Sequence, residues 1–516
     1  MAPTLIRGKY IICKVTGADS ADIVTDGAVY QESGIIIEIG AYNKLKSKYP
    51  KAEVIGSSGH LVMPGLINAH DHMGMSRFQL GVPHRPLELS SGRGLGARDV
   101  DPYLDHLWGA IQMIESGTTT VQIMYTPGRG IAPIDADATD KVVRAYRDAG
   151  MRLVYAPILQ DQNTMVGGPR GDEKEFAAQL PQDLSQRFTD FMSKGYFSAD
   201  ELVSRAEEVF TKYDGSENGR IKINVAPTNV QRCSDELLIG LRDLSKKYHT
   251  TIHIHLLETV YQKLFGLRAY GVTALEHLHD IGFLGPDVVC GHSVWVTDHD
   301  IEIMRDTQTC VCHNASSNLR LQSGIAPVLR FMDEGIRVAI GTDDPGINDD
   351  KDMFQEMRLV LRLHRVPGVE YTPPTSHQVF HMATVNGAHA SGLGDSVGTL
   401  EKGKKADIVL LDLHHIEEPY LDPGVAIVDA VLHRGRGIDV DTVMVDGEIV
   451  MRDRQLTLIN RKQFIQEMVK ALDRPLHPYE LERKKLGLEL EPHLKRFYAG
   501  TLDQISPPHT NYNAKQ

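Results

Sequence analysis

Between residues 61 and 343 short apolar runs alternate with helix-patterned stretches, eight times over. The runs cover 61–69, 119–124, 152–158, 221–226, 250–256, 288–292, 309–312 and 338–343. Unbroken apolar runs this short read as strands buried on both faces, the texture of a parallel sheet connected by helices. Helical spacing fills the gaps at 104–116 (closed by Gly117), 199–213, 235–248 and 353–364. Ser234 followed by Asp235 and Glu236 marks one helix start, a capping hydroxyl before first-turn acids. Eight such units predict an α/β fold, a (β/α)8 TIM-like barrel, whose chemistry sits at the C-terminal ends of its strands.

The flanks read differently. Residues 1–62 carry short strands at 10–15 and 34–40. The barrel pattern fades near 394, and strands return at 406–411 and 442–450, with Asp446-Gly447 as a hairpin turn. The simplest account joins both chain ends into one small composite β-sandwich. The predicted organisation is a first sandwich part at 1–62, the barrel at 63–394, a second sandwich part at 395–455 and a C-terminal helical extension or tail at 456–516. Within that extension a helix is expected at 462–472, then a polar, proline-bearing tail. Its charged run 480–485 reads as a solvated helix face.

A net charge of −13 argues against nucleic acid or an anionic membrane as partner. No apolar run approaches the ~20 residues that cross a bilayer, and the N-terminus lacks the pattern of a secretory signal. Five scattered cysteines (Cys13, Cys233, Cys290, Cys310, Cys312) predict no disulfide framework and a reducing, cytoplasmic setting. The expected partners are a small-molecule substrate and further copies of this chain, with the segment after 456 available as an intersubunit arm.

The first barrel run ends in His70-Asp71-His72. Residues i and i+2 of a strand share a face, and two imidazoles side by side suit zinc or iron(II). A lone His-x-His is usually just two histidines. Here later strand ends supply more: His253, His255 and then Glu258; His292; and Asp343. His253 reads as packed support and His255 as a ligand. Glu258, just past its strand, can reach over the barrel mouth and pass a proton to or from a metal-held water. His292 is either a further ligand or a hydrogen-bond partner of that water. Asp343 can ligate and also accept the water's proton, whereas Asp349, Asp350 and Asp352 read as caps.

Pro64-Gly65-Leu66-Ile67-Asn68-Ala69-His70-Asp71-His72, the 253–258 and 291–292 segments, His313-Asn314-Ala315-Ser316-Ser317-Asn318-Leu319 and Gly341-Thr342-Asp343 resemble the amidohydrolase superfamily. The likeness runs from about residue 5 to 455, including the 403–409 segment, and is strongest to the branch of chlorohydrolases, triazine hydrolases and S-adenosylhomocysteine/guanine-type deaminases. It implies a distorted barrel with a composite sandwich. It also implies one divalent metal, zinc ahead of iron(II), on His70, His72, His255 and Asp343, with Glu258 as proton shuttle and His292 orienting or polarising the water. Two departures stand out. In the adenosine-nucleoside deaminases of this branch the strand-four Ala-Pro precedes a substrate-contacting histidine; here Ala226-Pro227 precedes Thr228. Binuclear relatives use a carboxylated lysine on strand four; Lys222 lies too near that strand's beginning.

The expected reaction is hydrolytic deamination of an amino-substituted aromatic or N-heterocyclic small molecule through metal-bound hydroxide, because a proton-delivering glutamate is most needed when an amine leaves. The alternatives are another C–N bond (urea, amide, N-alkyl triazine), a C–Cl bond, or a non-catalytic scaffold. Substrate contacts are expected from Thr228, Gln231 and the loops at 73–101, 126–131 and 160–170. The first of these loops holds Arg77, Arg85, Arg93 and Arg98, one of which is a candidate to meet a substrate carboxylate.

Overall fold

The structure, a computed structural model, describes residues 3–125 and 134–505. The expected substrate loop at 126–131 lies outside the described residues. Eight parallel strands build the barrel: Leu66–Asp71, Thr118–Tyr125, Arg152–Leu159, Ile221–Ile223 (continued by Ala226–Pro227), Ile252–Leu256, Val288–His292, Cys310–His313 and Val338–Ile340. They hydrogen-bond as two half-rings. Single bridges join the halves at Val225–Ile252 and at Asp71–Asp343. At the second seam the Asp343 amide donates to the His70 carbonyl at 2.8 Å. Ring closure therefore sets two of the site-bearing strand ends against each other. The helices Pro102–Glu115, Ala199–Tyr213, Asp235–Tyr248 and Met353–Leu363 fall where the periodicity places them, and Ser234 Oγ caps the third, accepting from Leu237 N at 3.2 Å.

The run at 61–69 is not one strand. It breaks at Gly65 into His60–Pro64, which belongs to the terminal sheet, and Leu66–Asp71, which opens the barrel. A side chain at position 65 would collide with Thr119, so glycine is what lets the chain pass between the two layers. His60–Pro64 lies between Thr4–Gly17 and Ile408–Asp412, inside a nine-stranded sheet drawn from both chain ends. Ile6, Val29, Ile36, Val62, Ile408 and Leu410 share its core. Asp446 and Gly447 both have positive φ (51° and 78°), the type I′ geometry that matches strand twist in a two-residue hairpin. Asp407 grips Arg152 with two 2.9 Å hydrogen bonds, both side chains buried, and so ties this sheet to the third barrel strand.

The C-terminal extension departs from expectation. After Arg461–Leu472 the chain forms a second helix, Pro478–Tyr498, in place of a polar tail. Leu486, Leu490, Leu494 and Phe497 are buried against 87–94 and 163–192. The charged run is a solvated helix face at Glu482, Lys484 and Lys485, but its first residue is not: Glu480 is buried, accepting from the Asp99 amide and from Arg474. Gly487 allows the close approach, since a side chain there would strike the Gly92 carbonyl. No helix among the described residues is long and apolar enough to cross a membrane. All five cysteines are free.

Candidate active site

One ligand atom each from His70, His72, His255 and Asp343 converge at the barrel mouth, all within 4.8 Å of one another. Asp343 Oδ1 lies 3.1 Å from His70 Nε2 and 2.9 Å from His72 Nε2. His72 Nδ1 donates to the Met124 carbonyl at 2.6 Å, and His255 Nδ1 donates to the Thr228 carbonyl at 2.8 Å. A carbonyl oxygen only accepts, so both protons sit on Nδ1 and both Nε2 atoms turn lone pairs inward. Those two Nε2 atoms are 3.1 Å apart. Facing lone pairs repel at that distance, and a cation between them turns the repulsion into ligation.

The electrostatics agree. Burial pushes His70 down to about 4 despite the pull of Asp343, and pushes His255 well below the usual imidazole range, so both rings are neutral at pH 7. Burial pushes the Asp343 carboxyl up, but the imidazoles of His70, His72 and His292 around it outweigh that and hold Asp343 well below the usual carboxylate range. His72 goes the other way: burial lowers it, yet Asp343, helped by Asp344 and the Met124 carbonyl, raises it on balance. A site that keeps its carboxylate ionised and favours a positive charge among neutral imidazoles fits a divalent cation. His253 stands behind His70, Nε2 2.8 Å from its Nδ1, and Gln122 holds His253 from the far side at 2.5 Å. Such outer hydrogen bonds fix ligand orientation.

Glu258 is buried beside this cluster but outside it. Its amide is held by Gln262 Oε1 at 2.8 Å, and its Oε1 lies 3.8 Å from His292 Nδ1. Burial pushes its carboxyl up, opposed by His292 and reinforced by Asp343. His292 is also outside the four-atom cluster. Its Nδ1 donates to Asn318 Oδ1 at 2.7 Å and its Nε2 accepts from Asn314 Nδ2 at 3.3 Å. Ser317 Oγ donates to Asp343 Oδ2. From sequence alone Asn314, Ser317 and Asn318 have no assigned task. Their signal was the i, i+4 spacing of the two asparagines at the start of the helix Ala315–Arg320, which puts both on one face. His292 and Asp343 both sit at positive φ (70° and 67°), strain of order 1 kcal/mol each that clusters at functional sites.

Glu356 supports the same segment, accepting from Ser316 N at 3.0 Å. Burial pushes it up to about 7 from 4.5, opposed by the hydrogen bonds from Ser316. The folded chain therefore binds this proton more tightly than the unfolded one. The stabilisation is full below about pH 4.5 and is lost as pH rises to about 7, a change of about 3 kcal/mol. Thermal melts across that range should show Glu356→Gln with a flatter pH dependence than the parent.

A cleft of about 400 Å³ opens onto the cluster, lined among others by Met73, Glu88, Gln160, Thr228, Gln231 and Tyr498. That volume is in the usual range for a small-molecule site. Thr228 turns its hydroxyl toward Leu159 O and Gln160 Oε1, and its carbonyl orients His255. Gln231 borders the cleft and packs beside Gly167. Lys222 pairs with Val154, near the start of the neighbouring strand, and lies against Gly392, away from the converging atoms.

A model of the amidohydrolase family matches residues 61–450. The chain belongs to the amidohydrolase family. Among its relatives is a 5'-deoxyadenosine deaminase of Methanosarcina mazei, 32% identical over 480 residues, 92% of this chain and 98% of that one. Another is a 5-methylthioadenosine/S-adenosylhomocysteine deaminase of Caldanaerobacter subterraneus subsp. tengcongensis, 32% identical over 460 residues, 87% of this chain and 94% of that one. Among solved structures, a zinc-bound adenosine deaminase from Xanthomonas campestris superposes with a TM-score of 0.77 at 22% identity, covering 92% of this chain and 98% of that one. A triazine hydrolase from Arthrobacter aurescens does so with a TM-score of 0.77 at 20% identity, covering 92% and 100%. This amidohydrolase is an enzyme of carbon–nitrogen bonds, and hydrolytic deamination of a heterocyclic amine fits its relatives and its cluster.

Proposed function

We propose that the enzyme is a mononuclear, zinc-dependent aminohydrolase that replaces an amino group on an N-heterocycle by a carbonyl oxygen, releasing ammonia. The observation that carries this is the His70, His72, His255 and Asp343 convergence beside Glu258, a buried acid left out of it. Three imidazole nitrogens and one carboxylate oxygen suit a four-coordinate zinc; iron(II) is the alternative. When bound, the metal supplies a water nucleophile at neutral pH by lowering its pKa from 15.7 to about 7. The protein's own groups do the rest. Asp343, steadied by Ser317, takes the water's proton. Glu258, whose hold on its proton burial strengthens, gives that proton to the ring nitrogen; the water's first proton passes from Asp343 to the departing amine, and its second restores Glu258. His292, held through Nδ1 by Asn318, faces Glu258 and orients the water once its Nε2 exchanges the long 3.3 Å contact with Asn314 for it. A C–O bond forms, the C–N bond breaks, and water and substrate become carbonyl product and ammonia.

Elemental analysis should give one metal per chain, with zinc restoring what iron(II) does not if the assignment is right. Chelation should abolish ammonia release and lower the thermal midpoint, since a ligand at 1,000 times its Kd stabilises by about 4 kcal/mol. A panel of aminoheterocycles that yields no ammonia from fully metallated protein would sink the proposal. The relatives' names favour one narrower reading, a 5'-deoxyadenosine-type nucleoside as against a heterocycle without ribose. Thr228, whose hydroxyl is turned to Leu159 and Gln160, speaks against it. Including 5'-deoxyadenosine in the panel separates the two. A reducing cytoplasm and a homo-oligomer complete the proposal; light scattering on the purified protein checks the latter.

A further inference from the structure

We propose that Arg77 and Arg232 form an anion subsite, so that the heterocycle this enzyme deaminates carries a carboxylate. The inference rests on the deaminase reading above. Five arginines line the cleft: Arg77, Arg85, Arg232, Arg320 and Arg483. Three of them face a protein carboxylate, Arg85 with Glu491 at 3.7 Å, Arg320 with Asp344 at 3.4 Å and Arg483 with Asp99 at 2.7 Å. Among the described residues, Arg77 and Arg232 have no carboxylate within 4.0 Å. Among the described residues the side chain of Arg232 makes one hydrogen bond, from Nη2 to Ser91 Oγ at 3.1 Å.

Burial lowers the affinity of Arg232 for its proton against the pull of Tyr498, Glu173 and Glu258, and the charge of Arg77 lowers it slightly further. Both guanidiniums line the same half-closed cleft with no carboxylate in contact, and a charge withdrawn from water without a partner is costly. An anion in the cleft that reaches them removes that cost. The nearby acids are otherwise engaged. Glu173 accepts from Tyr196 and from Met165 N. Glu88 accepts from Thr259 at 2.6 Å and is pushed up to about 7 by burial. Glu258 is the proton carrier. Their presence at longer range disfavours a dianion such as phosphate more than a singly charged carboxylate, whose two oxygens match a guanidinium fork.

Arg232 is also well anchored. Its amide donates to Asn229 Oδ1 at 3.1 Å, and its carbonyl accepts from Asp161 N and Gln162 N at 3.1 and 3.2 Å. It closes the segment 228–232, whose first residue orients His255. One short piece of backbone thus fixes both a metal-facing imidazole and the charge that would grip the far end of the substrate.

The test assays metal-loaded protein on amino-pyridines and amino-pyrimidines made in matched carboxylate, carboxamide and phosphonate forms. It follows ammonia release, binding by calorimetry, and the melting temperatures of Arg232→Gln, Arg232→Lys and Arg77→Gln. Charged hydrogen bonds of about 1.5–3 kcal/mol predict a carboxylate preference of about 10–100-fold in kcat/KM, carried by KM. Arg232→Gln should erase that preference without lowering the melting temperature, and Arg232→Lys should keep part of it. Equal turnover of carboxylate and carboxamide forms, unchanged by Arg232→Gln, overturns the subsite and leaves the deaminase standing. Carboxylate binding that Arg232→Gln abolishes, with no ammonia from any compound, overturns the reaction and leaves the subsite standing. A preference for the phosphonate forms, or a marked loss of stability in Arg232→Gln, overturns the carboxylate assignment.

Discussion

Glu258→Gln is expected to lower kcat by about 10²–10⁴-fold while the protein still binds one metal per chain. Glutamine keeps the size and the hydrogen-bonding shape of glutamate but cannot carry the proton to the ring nitrogen. Glu258 lies outside the four-atom cluster, so its loss should leave metal content untouched. Its backbone stays held by Gln262, so the segment should not move. Paired measurements of kcat and metal content check this. A loss of less than tenfold would mean that another group delivers the proton. A loss of metal together with rate would mean that Glu258 ligates.

Lys351→Met should cost about 3–5 kcal/mol of folding stability. Lys351 and Asp71 are fully buried and joined at 2.6 Å. Asp71 also accepts from Thr342 Oγ1, Asn68 Nδ2 and His72 N at 2.7–2.8 Å. Removing the ammonium leaves a carboxylate with no counter-charge in the barrel wall. The same network joins the strand end bearing His70 and His72 to the segment bearing Asp343, so metal affinity should fall by about 10–100-fold as well. Urea titrations of the apo and metal-loaded variants separate the two effects. Asp71→Asn combined with Lys351→Met should recover part of the stability, because it removes the stranded charge.

The barrel was legible because its strands are buried on both faces, which leaves an unbroken apolar signature. The ligand residues were legible because they sit at the ends of those runs. The division at Gly65 was hidden, since apolar residues continue across it into a second sheet and only the collision with Thr119 reveals the crossing. The helix Pro478–Tyr498 was hidden by Pro492 and by its charged residues, although Leu486, Leu490 and Leu494 recur at helical spacing. The spacing of Asn314 and Asn318 shows that they share a face, but their tasks and that of Ser317 depend on contacts with His292 and Asp343 on other strand ends, which no local pattern encodes. Arg232 was passed over for a related reason. Its importance lies in the partner it lacks, and a sequence shows no missing partners.

The helix Pro478–Tyr498 lies beyond residue 450, where the family match stops, yet Arg483 and Tyr498 stand in the wall of the cleft. The reacting centre and part of the enclosure around it are therefore written in separate stretches of the chain. An appendage of this kind can be exchanged or lengthened over generations without disturbing the strand ends that perform the chemistry. New selectivity can be tried at the rim while the catalytic apparatus is inherited intact.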